Sequence, residues 1–426
     1  MTRRELFGLF WKAAALLVGG AVLIRSESRV VAGESLTHTS PPHPPGAGDR
    51  YTSVVTLNGS RLPWAMDGDV KVFRLTAEPV KREFAPGMVV NCWGYNGQTP
   101  GPTIEAVEGE RVRILVSNKL PEATSVHWHG LFLPNGMDGV GGLNQPHIPP
   151  GKTYVYEFTL RQNGTFMYHP HSDEVVQLAM GMMGMFVVHP KIQPQPRIDR
   201  DYCILLHTWD IEPGTYTPKP ATMTEFNLWT FNSRVSPGID PMVARVGERV
   251  RIRMGNLSMH DHPIHIHGHA MWVTGTDGGW IPASAQWPET SVNVPVGAVR
   301  VVEFVAESPG DWAFHCHKVH HMMNPMGHAI PNMIGVDQRG VAERITSLLP
   351  GYMAMGETGM SDMTHRHGKA LPENTLPMSG GSGPFGAMEA GGMFTVIKIR
   401  EDQAAGDYRD PGWYRHPQGT VAHELR

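Results

Sequence analysis

Alternating charged and apolar side chains indicate strands at two places in this chain. The runs Arg111-Val112-Arg113-Ile114 and Arg249-Val250-Arg251-Ile252 have the two-residue period of a strand that buries one face. The stretches around them are rich in Val, Thr, Tyr and Phe, and turns such as Pro149-Pro150-Gly151 interrupt them. No long segment of helical period follows residue 35. The pattern therefore predicts an all-β protein made of sandwiches.

The two runs belong to an internal duplication. Residues 109–114 recur letter for letter at 247–252, and a block at 151–164 recurs at 297–310 with the same spacing of Gly, Glu, Phe and Gly. Each copy also carries two His-x-His pairs. Such self-similarity indicates two copies of one structural unit. We expect a first domain over 36–190, a short linker around Pro194, a second domain over 197–340, and a Met- and Gly-rich extension over 341–426.

The N-terminal segment has the pattern of an export signal. Arg3 and Arg4 precede an uncharged apolar run over residues 13–24, which is short for a membrane span. This order resembles a twin-arginine signal peptide. A general secretory signal or a retained anchor is the alternative. We therefore assign residues 1–35 to a signal and expect a periplasmic or secreted protein, with no stable membrane span after processing.

The composition favours a copper-binding protein over one that binds nucleic acid or an anionic membrane. The formal net charge is -4, with acids and bases mixed, which gives no reason to expect nucleic acid or an anionic membrane as a partner. The chain has 23 His and 25 Met but only 3 Cys, and nitrogen and soft sulfur ligands together favour copper. Because residues i and i+2 of a strand share a face, each His-x-His pair presents two imidazoles in one direction. Eight imidazoles converge if the two units pack face to face.

Four motifs resemble the copper motifs of the multicopper oxidase (laccase) family, and they stand in the family's order. They are His127-Trp128-His129-Gly130, His169-Pro170-His171, His262-Pro263-Ile264-His265-Ile266-His267-Gly268-His269 and His315-Cys316-His317. The resemblance implies two cupredoxin-like, Greek-key β-sandwich domains and four coppers per functional unit. It implies a copper-dependent oxidoreductase that takes single electrons from a reductant at a type 1 copper. These electrons reduce O2 to water at a trinuclear copper cluster.

By the family pattern, the type 1 copper has two His ligands, one Cys and an axial Met. His262 and Cys316 occupy two of these positions, and His321 and Met326 follow the Cys by five and ten residues. His320 is one place out of register and is interpreted as a spare surface histidine. Cys316 is also expected to be catalytic, because its flanking imidazoles reach the other metals and give electrons a short covalent path.

The remaining eight histidines resemble the ligands of the trinuclear cluster. The resemblance assigns His127 and His265 to the type 2 copper. It assigns the two type 3 coppers to two sets of three: His129, His169 and His317, and His171, His267 and His315.

Proton delivery has one candidate residue. Asp138 resembles the family's catalytic carboxylate near the type 2 copper, which relays protons to the cluster. The alternative is an ordinary turn residue before Gly139. Val319 and Met322 occupy the places where many relatives carry a second acid, so a second proton donor is left open.

Two other functions are disfavoured. Thr124, Pro170 and Val175 stand where the second unit has its type 1 ligands, so the first unit has lost its own blue site. Copper nitrite reductases share the two-domain architecture but keep the blue copper in the first domain and lack eight cluster histidines. A copper storage protein needs no Cys between cluster ligands.

The sequence leaves two points undecided, which are the identity of the reductant and the pairing of Cys92 and Cys203. The resemblance implies that the reductant is a phenol, an aromatic amine or Cu(I). A role in copper tolerance is one option, because the Met-rich extension offers soft ligands. The methionines at 180, 182, 183 and 185 are interpreted as core filling. Cys92 and Cys203, one in each unit, form a disulfide or stay as two buried thiols.

The presence of two predicted domains without a spacer domain predicts how the chains associate. The cluster needs four histidines from each type of domain, and no spacer domain separates the two. A head-to-tail contact between subunits would bring the faces together, and such a contact must close into a ring or run on as a filament. Two-domain relatives form closed trimers, so the resemblance implies a homotrimer.

Overall fold

The computed structural model describes residues 51–323, 344, 347–348, 373–376 and 380–425. Strands dominate this part of the chain, and its named helices are short: α1 (Glu174–Ala179) and α2 (Val319–Met322), with 3-10 turns at Asn135–Met137 and Ala283–Ala285. The predicted all-β class is confirmed. No described helix is long and apolar enough to cross a membrane. The predicted signal and Met326 lie outside the described residues.

The described chain has ten strands before residue 190 and fourteen after it. The first ten are β1 (Val54–Thr56), β2 (Trp64–Asp67), β3 (Val70–Ala85), β4 (Met88–Tyr95), β5 (Ile104–Val107), β6 (Arg111–Asn118), β7 (His127–His129), β8 (Thr153–Thr159), β9 (Gly164–His169) and β10 (Gly184–His189). The others are β11 (Arg200–Trp209), β12 (Leu228–Phe231), β13 (Met242–Arg245), β14 (Arg249–Asn256), β15 (His262–Ile266), β16 (Met271–Thr276), β17 (Gly279–Trp280), β18 (Trp287–Glu289), β19 (Ser291–Val294), β20 (Val299–Val305), β21 (Gly310–Cys316), β22 (Ser382–Gly383), β23 (Gly386–Ala387) and β24 (Phe394–Arg400).

These strands form four main sheets. Sheet I has the order β2-β3-β6-β8, with β4 paired to β3, and sheet II has the order β5-β10-β9-β7. Sheet III has the order β1-β11-β14-β20-β16-β17, with β12 and β18 attached to it, and sheet IV has the order β13-β24-β21-β15-β19. The duplicated runs are β6 and β14, and each is followed in its sheet by an antiparallel neighbour, β8 or β20. The repeat seen in the sequence is therefore a repeat of structure.

The four sheets stack in the order I, II, III, IV, as the alternating side chains of two strands, β9 and β11, indicate. On β9 of sheet II, Phe166 belongs to the apolar core shared with sheet I, and its neighbour Met167 belongs to the core shared with sheet III. On β11 of sheet III, Leu205 belongs to that same middle core, whereas Ile204 belongs to the core shared with sheet IV. Sheets I and II form the first sandwich, and sheets III and IV form the second.

The segment after residue 340 contributes a strand to the second sandwich. β24 lies between β13, which runs parallel to it, and β21, which runs antiparallel. Its first residue, Phe394, lies opposite His315. The second sandwich therefore draws on part of the predicted extension as well as on residues 197–340.

Methionines and free thiols fill the middle core. Met183 and Met185 are buried there, Met182 is buried in the core of the first sandwich, and Met180 is buried as well, in agreement with the predicted core-filling role. Cys92 and Cys203 are both buried and both free, so the alternative with two thiols applies. Burial raises the pKa of each thiol well above its ordinary value.

A buried ionic network ties the two sandwiches together. Arg253 of β14 is fully buried, and its guanidinium donates two hydrogen bonds of 2.8 Å to the carboxylate of Asp201 and a third to Thr165 on β9. Burial alone would raise the pKa of Asp201, but the charges of Arg253 and Arg251 outweigh it, and the pKa is lowered. The folded state therefore holds Asp201 as a carboxylate between two guanidinium groups.

Replacing Asp201 by Ala should lower the free energy of unfolding by about 3–5 kcal/mol, because the substitution leaves a buried guanidinium without its counter-charge. Denaturant unfolding of the full chain measures this loss. The matched control is Glu212→Ala, which ends an exposed ion pair with Lys219 and should have little effect on stability, because water screens such a pair. A loss for Asp201→Ala no larger than that of the control would contradict the role given to the network.

Candidate metal centres

Four histidines of the first sandwich form a group that we call the first histidine cluster: His127, His129, His169 and His171. His127 on β7 lies directly opposite His169 at the end of β9, so their side chains share one face of sheet II. Their ring centroids are 5.4 Å apart, and His171 lies 5.8 Å from His127. One ring nitrogen from each of His127, His129 and His169 lies within 4.8 Å of the others. This arrangement can hold a metal ion.

Backbone carbonyls orient two rings of this cluster. His127 donates from Nδ1 to the carbonyl oxygen of Asp138 at 2.7 Å, and His169 donates from Nδ1 to that of Pro170 at 2.8 Å. Because Nδ1 carries the proton, Nε2 keeps its lone pair for a metal. Burial lowers the pKa of His169 to about 3, so the ring is neutral and able to coordinate.

The second sandwich contains the corresponding second histidine cluster: His265, His267, His315 and His317. His265 on β15 lies directly opposite His315 on β21, the same relation as in the first sandwich. Their centroids are 5.6 Å apart, and His317 lies 5.3 Å from His265. His315 donates from Nδ1 to the carbonyl oxygen of Cys316 at 2.9 Å, and His265 donates to that of Thr290 at 2.7 Å. In both sandwiches, therefore, the duplicated histidines carry their proton on Nδ1 and leave Nε2 free for a metal.

A third group, which we call the Cys-His site, consists of His262, Cys316 and His321. The Cys316 Sγ lies 3.7 Å from Nδ1 of His262 and 3.5 Å from Nδ1 of His321, and the two nitrogens are 3.1 Å apart. All three residues are buried. Burial lowers the pKa of His262 to about 3 and lowers that of His321 further. Two neutral imidazoles and one sulfur thus meet at a single buried point.

The Cys-His site and the second histidine cluster lie on opposite faces of β21. Cys316 packs into the core between sheets III and IV with Phe314. The flanking His315 and His317 belong to the cluster on the outer face, where His317 is exposed. One covalent segment of three residues therefore joins the two metal centres.

Neighbouring side chains that the sequence did not single out fix the Cys-His site. Ser258 Oγ hydrogen-bonds Nε2 of His262 at 2.9 Å. The indole of Trp229 stacks on His321 with a centroid distance of 4.5 Å, and its Nε1 donates to Nδ1 of His260 at 3.1 Å. Trp229 precedes His260 by 31 residues, and no motif links the two.

Two carboxylates lie beside the first histidine cluster. The Asp138 Oδ1 is 3.6 Å from Nδ1 of His127, while the backbone carbonyl of the same residue accepts that proton. Glu174, at the start of α1, places its two oxygens 3.6 Å from Nδ1 of His169 and 3.9 Å from Nε2 of His171. The sequence pointed to Asp138 but not to Glu174, although Glu174 follows the His-Pro-His motif by only three residues.

The first sandwich contains nothing equivalent to the Cys-His site. The buried Thr124 stands at the position of the missing histidine, and its hydroxyl donates to Gln177 at 2.7 Å. Pro170 stands at the position of the cysteine, and Val175 at the remaining position is exposed. The described part of this sandwich thus offers cluster histidines only.

The two histidine clusters lie apart within one chain. No hydrogen bond or ring contact joins them, and all eight histidines are among the described residues. The first cluster lies on sheet II and the second on sheet IV, with sheet III between them. Because stacked sheets are spaced by about 10 Å, sheets II and IV are roughly 20 Å apart along the stack.

Sequence comparison identifies the class of protein. Residues 76–193 and residues 212–335 each match a family described as multicopper oxidase. These two segments span more than half of the chain and contain both histidine clusters and the Cys-His site. The chain therefore belongs to the multicopper oxidase family, as its motifs predicted.

Individual relatives agree with this family. A probable nitrite reductase-hydroxylamine oxidoreductase fusion protein of Kuenenia stuttgartiensis is 29% identical over 65% of this chain and 32% of its own length. Copper resistance protein A of Pseudomonas syringae pv. tomato is 44% identical over 28% of this chain and 19% of its own length. The chain thus spans a third or less of these two curated relatives. The crystal structure of Blue Copper Oxidase from Nitrosomonas europaea shares the fold, with a TM-score of 0.58 and 24% identity over 80% of this chain and 91% of that one.

Copper is the metal of this family, and the donor atoms fit it. A buried cysteine sulfur with two imidazoles is a donor set for a blue copper ion, and imidazole clusters also suit copper. In the part of the chain that the structure describes, the buried Nε2 of His321 has no hydrogen-bond partner, whereas its Nδ1 faces the other two donors. The ring is thus positioned for coordination rather than for a hydrogen-bond network.

Proposed function

We propose that this protein is an oxidase that takes single electrons from a reducing substrate at the Cys-His site and uses four of them to reduce O2 to water. The position of Cys316 carries this proposal. Its sulfur lies in the Cys-His site, and the residues on either side of it belong to the second histidine cluster. Copper, when bound, supplies the one-electron redox chemistry.

Each group of residues has a distinct part in the reaction. His262, Cys316 and His321 would hold the type 1 copper, with Met326 as the predicted axial ligand. His127 and His265 would hold the type 2 copper, and the other six cluster histidines would hold the type 3 pair. Electrons would leave the Cys-His site along the backbone of β21, which passes directly into His315 and His317.

The trinuclear centre is proposed to form between subunits. Each chain supplies four histidines on sheet II and four on sheet IV, and these sheets are roughly 20 Å apart along the stack. His267 and His317 are exposed on the outer face of the second sandwich. A head-to-tail contact would place this face against the first histidine cluster of the next chain. Closure of that contact gives a ring, and we propose a homotrimer with three such centres.

Asp138 is proposed to relay protons to bound oxygen. Its carboxylate is 3.6 Å from the ring of His127, a proposed type 2 ligand, and it is partly exposed to solvent. General acid catalysis requires a carboxylate close to the reacting oxygen and a path for replacing its proton. The position of Asp138 beside the ligand, together with its exposure, supports this role.

Two alternative functions have less support. The Kuenenia stuttgartiensis relative carries nitrite reductase in its name, but in this chain Thr124, Pro170 and Val175 leave the first sandwich without a Cys-His site. A copper storage protein would not need Cys316 between two cluster ligands. The relative named copper resistance protein A supports a role in copper tolerance. We propose export through a twin-arginine signal to the periplasm or beyond, on the basis of residues 1–35.

Replacing Cys316 by Ser should abolish the intense blue absorption and oxygen uptake, because a thiolate sulfur produces that colour and begins the electron path. The unsubstituted protein should consume one O2 for about every four electrons taken from a phenol. Absorption spectra, metal analysis and an oxygen electrode test both statements. Cys92→Ser, at a buried free thiol, is the matched control and should stay blue. A blue Cys316→Ser protein would overturn the site, and a colourless wild type without oxygen uptake would overturn the function.

Mixing two inactive variants should restore oxygen reduction if the trinuclear centre lies between chains. One variant carries His127→Ala and His129→Ala, and the other carries His265→Ala and His267→Ala. After the two are dissociated, mixed and reassembled, about a quarter of the interfaces should hold two intact clusters. Light scattering, copper content and oxygen uptake are measured on the same fractions. Recovery no greater than that of either variant reassembled alone would contradict a shared centre.

Replacing Asp138 by Asn should slow oxygen reduction by about 100-fold or more while leaving anaerobic reduction of the blue absorption by a phenol unchanged, because only the first process consumes protons at the cluster. Stopped-flow absorption follows the two half-reactions separately. Glu122→Gln, on the loop before β7, serves as the control. Equal rates of reoxidation by O2 in Asp138→Asn and in the unsubstituted protein would rule out the proton relay.

A further inference from the structure

The ligand His321 is closed off from a dissolved reductant. Its side chain is fully buried, and Nδ1 faces Cys316 and His262. The other ring nitrogen, Nε2, is buried as well and has no hydrogen-bond partner among the described residues. Neither nitrogen of this ring can contact a molecule in solvent. If electrons enter the Cys-His site from a dissolved substrate, another residue must make the contact.

Two rings form a platform on one face of His321. Trp229 lies 4.5 Å from it at an interplanar angle of 14°, and His260 lies 5.4 Å from it at 11°. Trp229 and His260 are themselves within 20° of parallel, with centroids 6.2 Å apart, and the indole N–H donates to Nδ1 of His260 at 3.1 Å. The two rings therefore lie side by side, joined by a hydrogen bond in their common plane.

Only one member of this platform reaches solvent. Trp229 is buried, whereas His260 is partly exposed. The backbone fixes His260 in place: its carbonyl oxygen accepts hydrogen bonds from Asn256 Nδ2 and Ser258 Oγ, both at 2.8 Å. Ser258 also holds the ligand His262. The exposed ring is thus positioned by the same residue that positions a ligand.

The hydrogen bond from Trp229 decides the tautomer of His260. An indole N–H can only donate, so Nδ1 of His260 must accept, and the neutral ring carries its own proton on Nε2. Within the described part of the chain, Nε2 of His260 has no hydrogen-bond partner and is not among the buried atoms without one. The solvent side of the platform therefore presents an N–H donor.

We propose that His260 is the residue that contacts the reductant, and that its Nε2–H donates a hydrogen bond to the oxygen of a phenolate. This inference rests on the proposed oxidase function. The phenolate, whose proton has already passed to solvent, gives up one electron and becomes a phenoxyl radical. That electron passes through the platform of Trp229 and His260 to His321 and reduces the Cys-His site by one electron. His260 itself gains and loses no proton.

Local charge and ligand chemistry favour a phenolate over a metal cation here. Lys318 stands at the start of α2, the helix that carries His321, and Asp261 directly follows His260. A positive charge near the platform attracts an anion. A nitrogen that carries a proton has no lone pair for a metal such as Cu(I). The same N–H is suited to an anionic oxygen, which makes the stronger, charge-assisted hydrogen bond.

His320 is the competing entry point. It is exposed, and its ring centroid is 4.4 Å from that of His321, but the two rings are nearly perpendicular at 77°. No described side chain fixes its nitrogens with a hydrogen bond, whereas Trp229 fixes His260. His320 therefore provides the matched control.

The test uses the copper-loaded protein with His260→Phe, which keeps a flat ring but removes the N–H, and with His320→Phe as the control. Binding of 4-nitrophenolate, a poor reductant, is measured by equilibrium dialysis, and anaerobic bleaching of the blue absorption by 2,6-dimethoxyphenol is measured by stopped flow. His260→Phe should weaken binding and slow bleaching about tenfold or more, the effect of losing a hydrogen bond to a charged group. His320→Phe should change neither by more than about twofold, a difference within ordinary surface effects.

Two further measurements distinguish the loss of a contact with the reductant from damage to the Cys-His site. The blue spectrum, the reduction potential and the rate of bleaching by hexaammineruthenium(II), which has no acceptor oxygen, should be unchanged in His260→Phe. Trp229→Phe keeps a ring that stacks on His321 but removes the N–H that fixes the tautomer of His260. This variant should lose part of the phenolate binding.

Three results would overturn the inference: unchanged phenolate binding in His260→Phe, a larger loss in His320→Phe, or equal slowing with the ruthenium reductant. None of these bears on the proposed function, which fails only if the unsubstituted protein is not blue or consumes no oxygen.

Discussion

The alternation of side chains along β21 is the constraint on which the rest of the molecule depends. A strand exposes successive residues on opposite faces, so Cys316 can lie in a sealed core while His315 and His317 face outward. The core side of this strand must be dry and tightly packed, and Phe314 and Ile264 provide that packing. The outer side carries the exposed His317 of the second histidine cluster. A helix could not separate two centres in this way with so few residues.

The stacking of four sheets follows from the same alternation. Sheets II and III each bury both faces, so their strands β10 and β11 are buried along their whole length. Among the charges buried in this region, Arg253 and Asp201 form a paired set. The stack places one histidine cluster near the middle of the molecule and the other on its outside. The stack of four sheets thus leaves the two histidine clusters of one chain on different sheets.

The sequence predicted features that depend on nearby residues and missed those that depend on distant ones. The strand period and the duplication located β6, β14 and the His-x-His pairs, because each pattern lies within a few residues. The order of the sheets depends on pairings such as that of β1 with β11, across about 150 residues. Trp229 and His260 were missed for the same reason, since only the fold brings them together. Thr124 is the opposite case, because its position in the repeat, known from the sequence alone, indicated that the first unit lacks a type 1 ligand there.

The place of β24 in sheet IV has a consequence for how the protein is made. β13 and β21 are synthesised well before β24, yet they become neighbours of a common strand only when β24 arrives. Until then β21 has a free edge, and Cys316 lies on a strand that has only one of its two partners. A growing chain in that state exposes a thiol and several imidazoles to any metal or oxidant present. In the growing chain, the strand that carries Cys316 is therefore paired on both edges only after the last strand has been added.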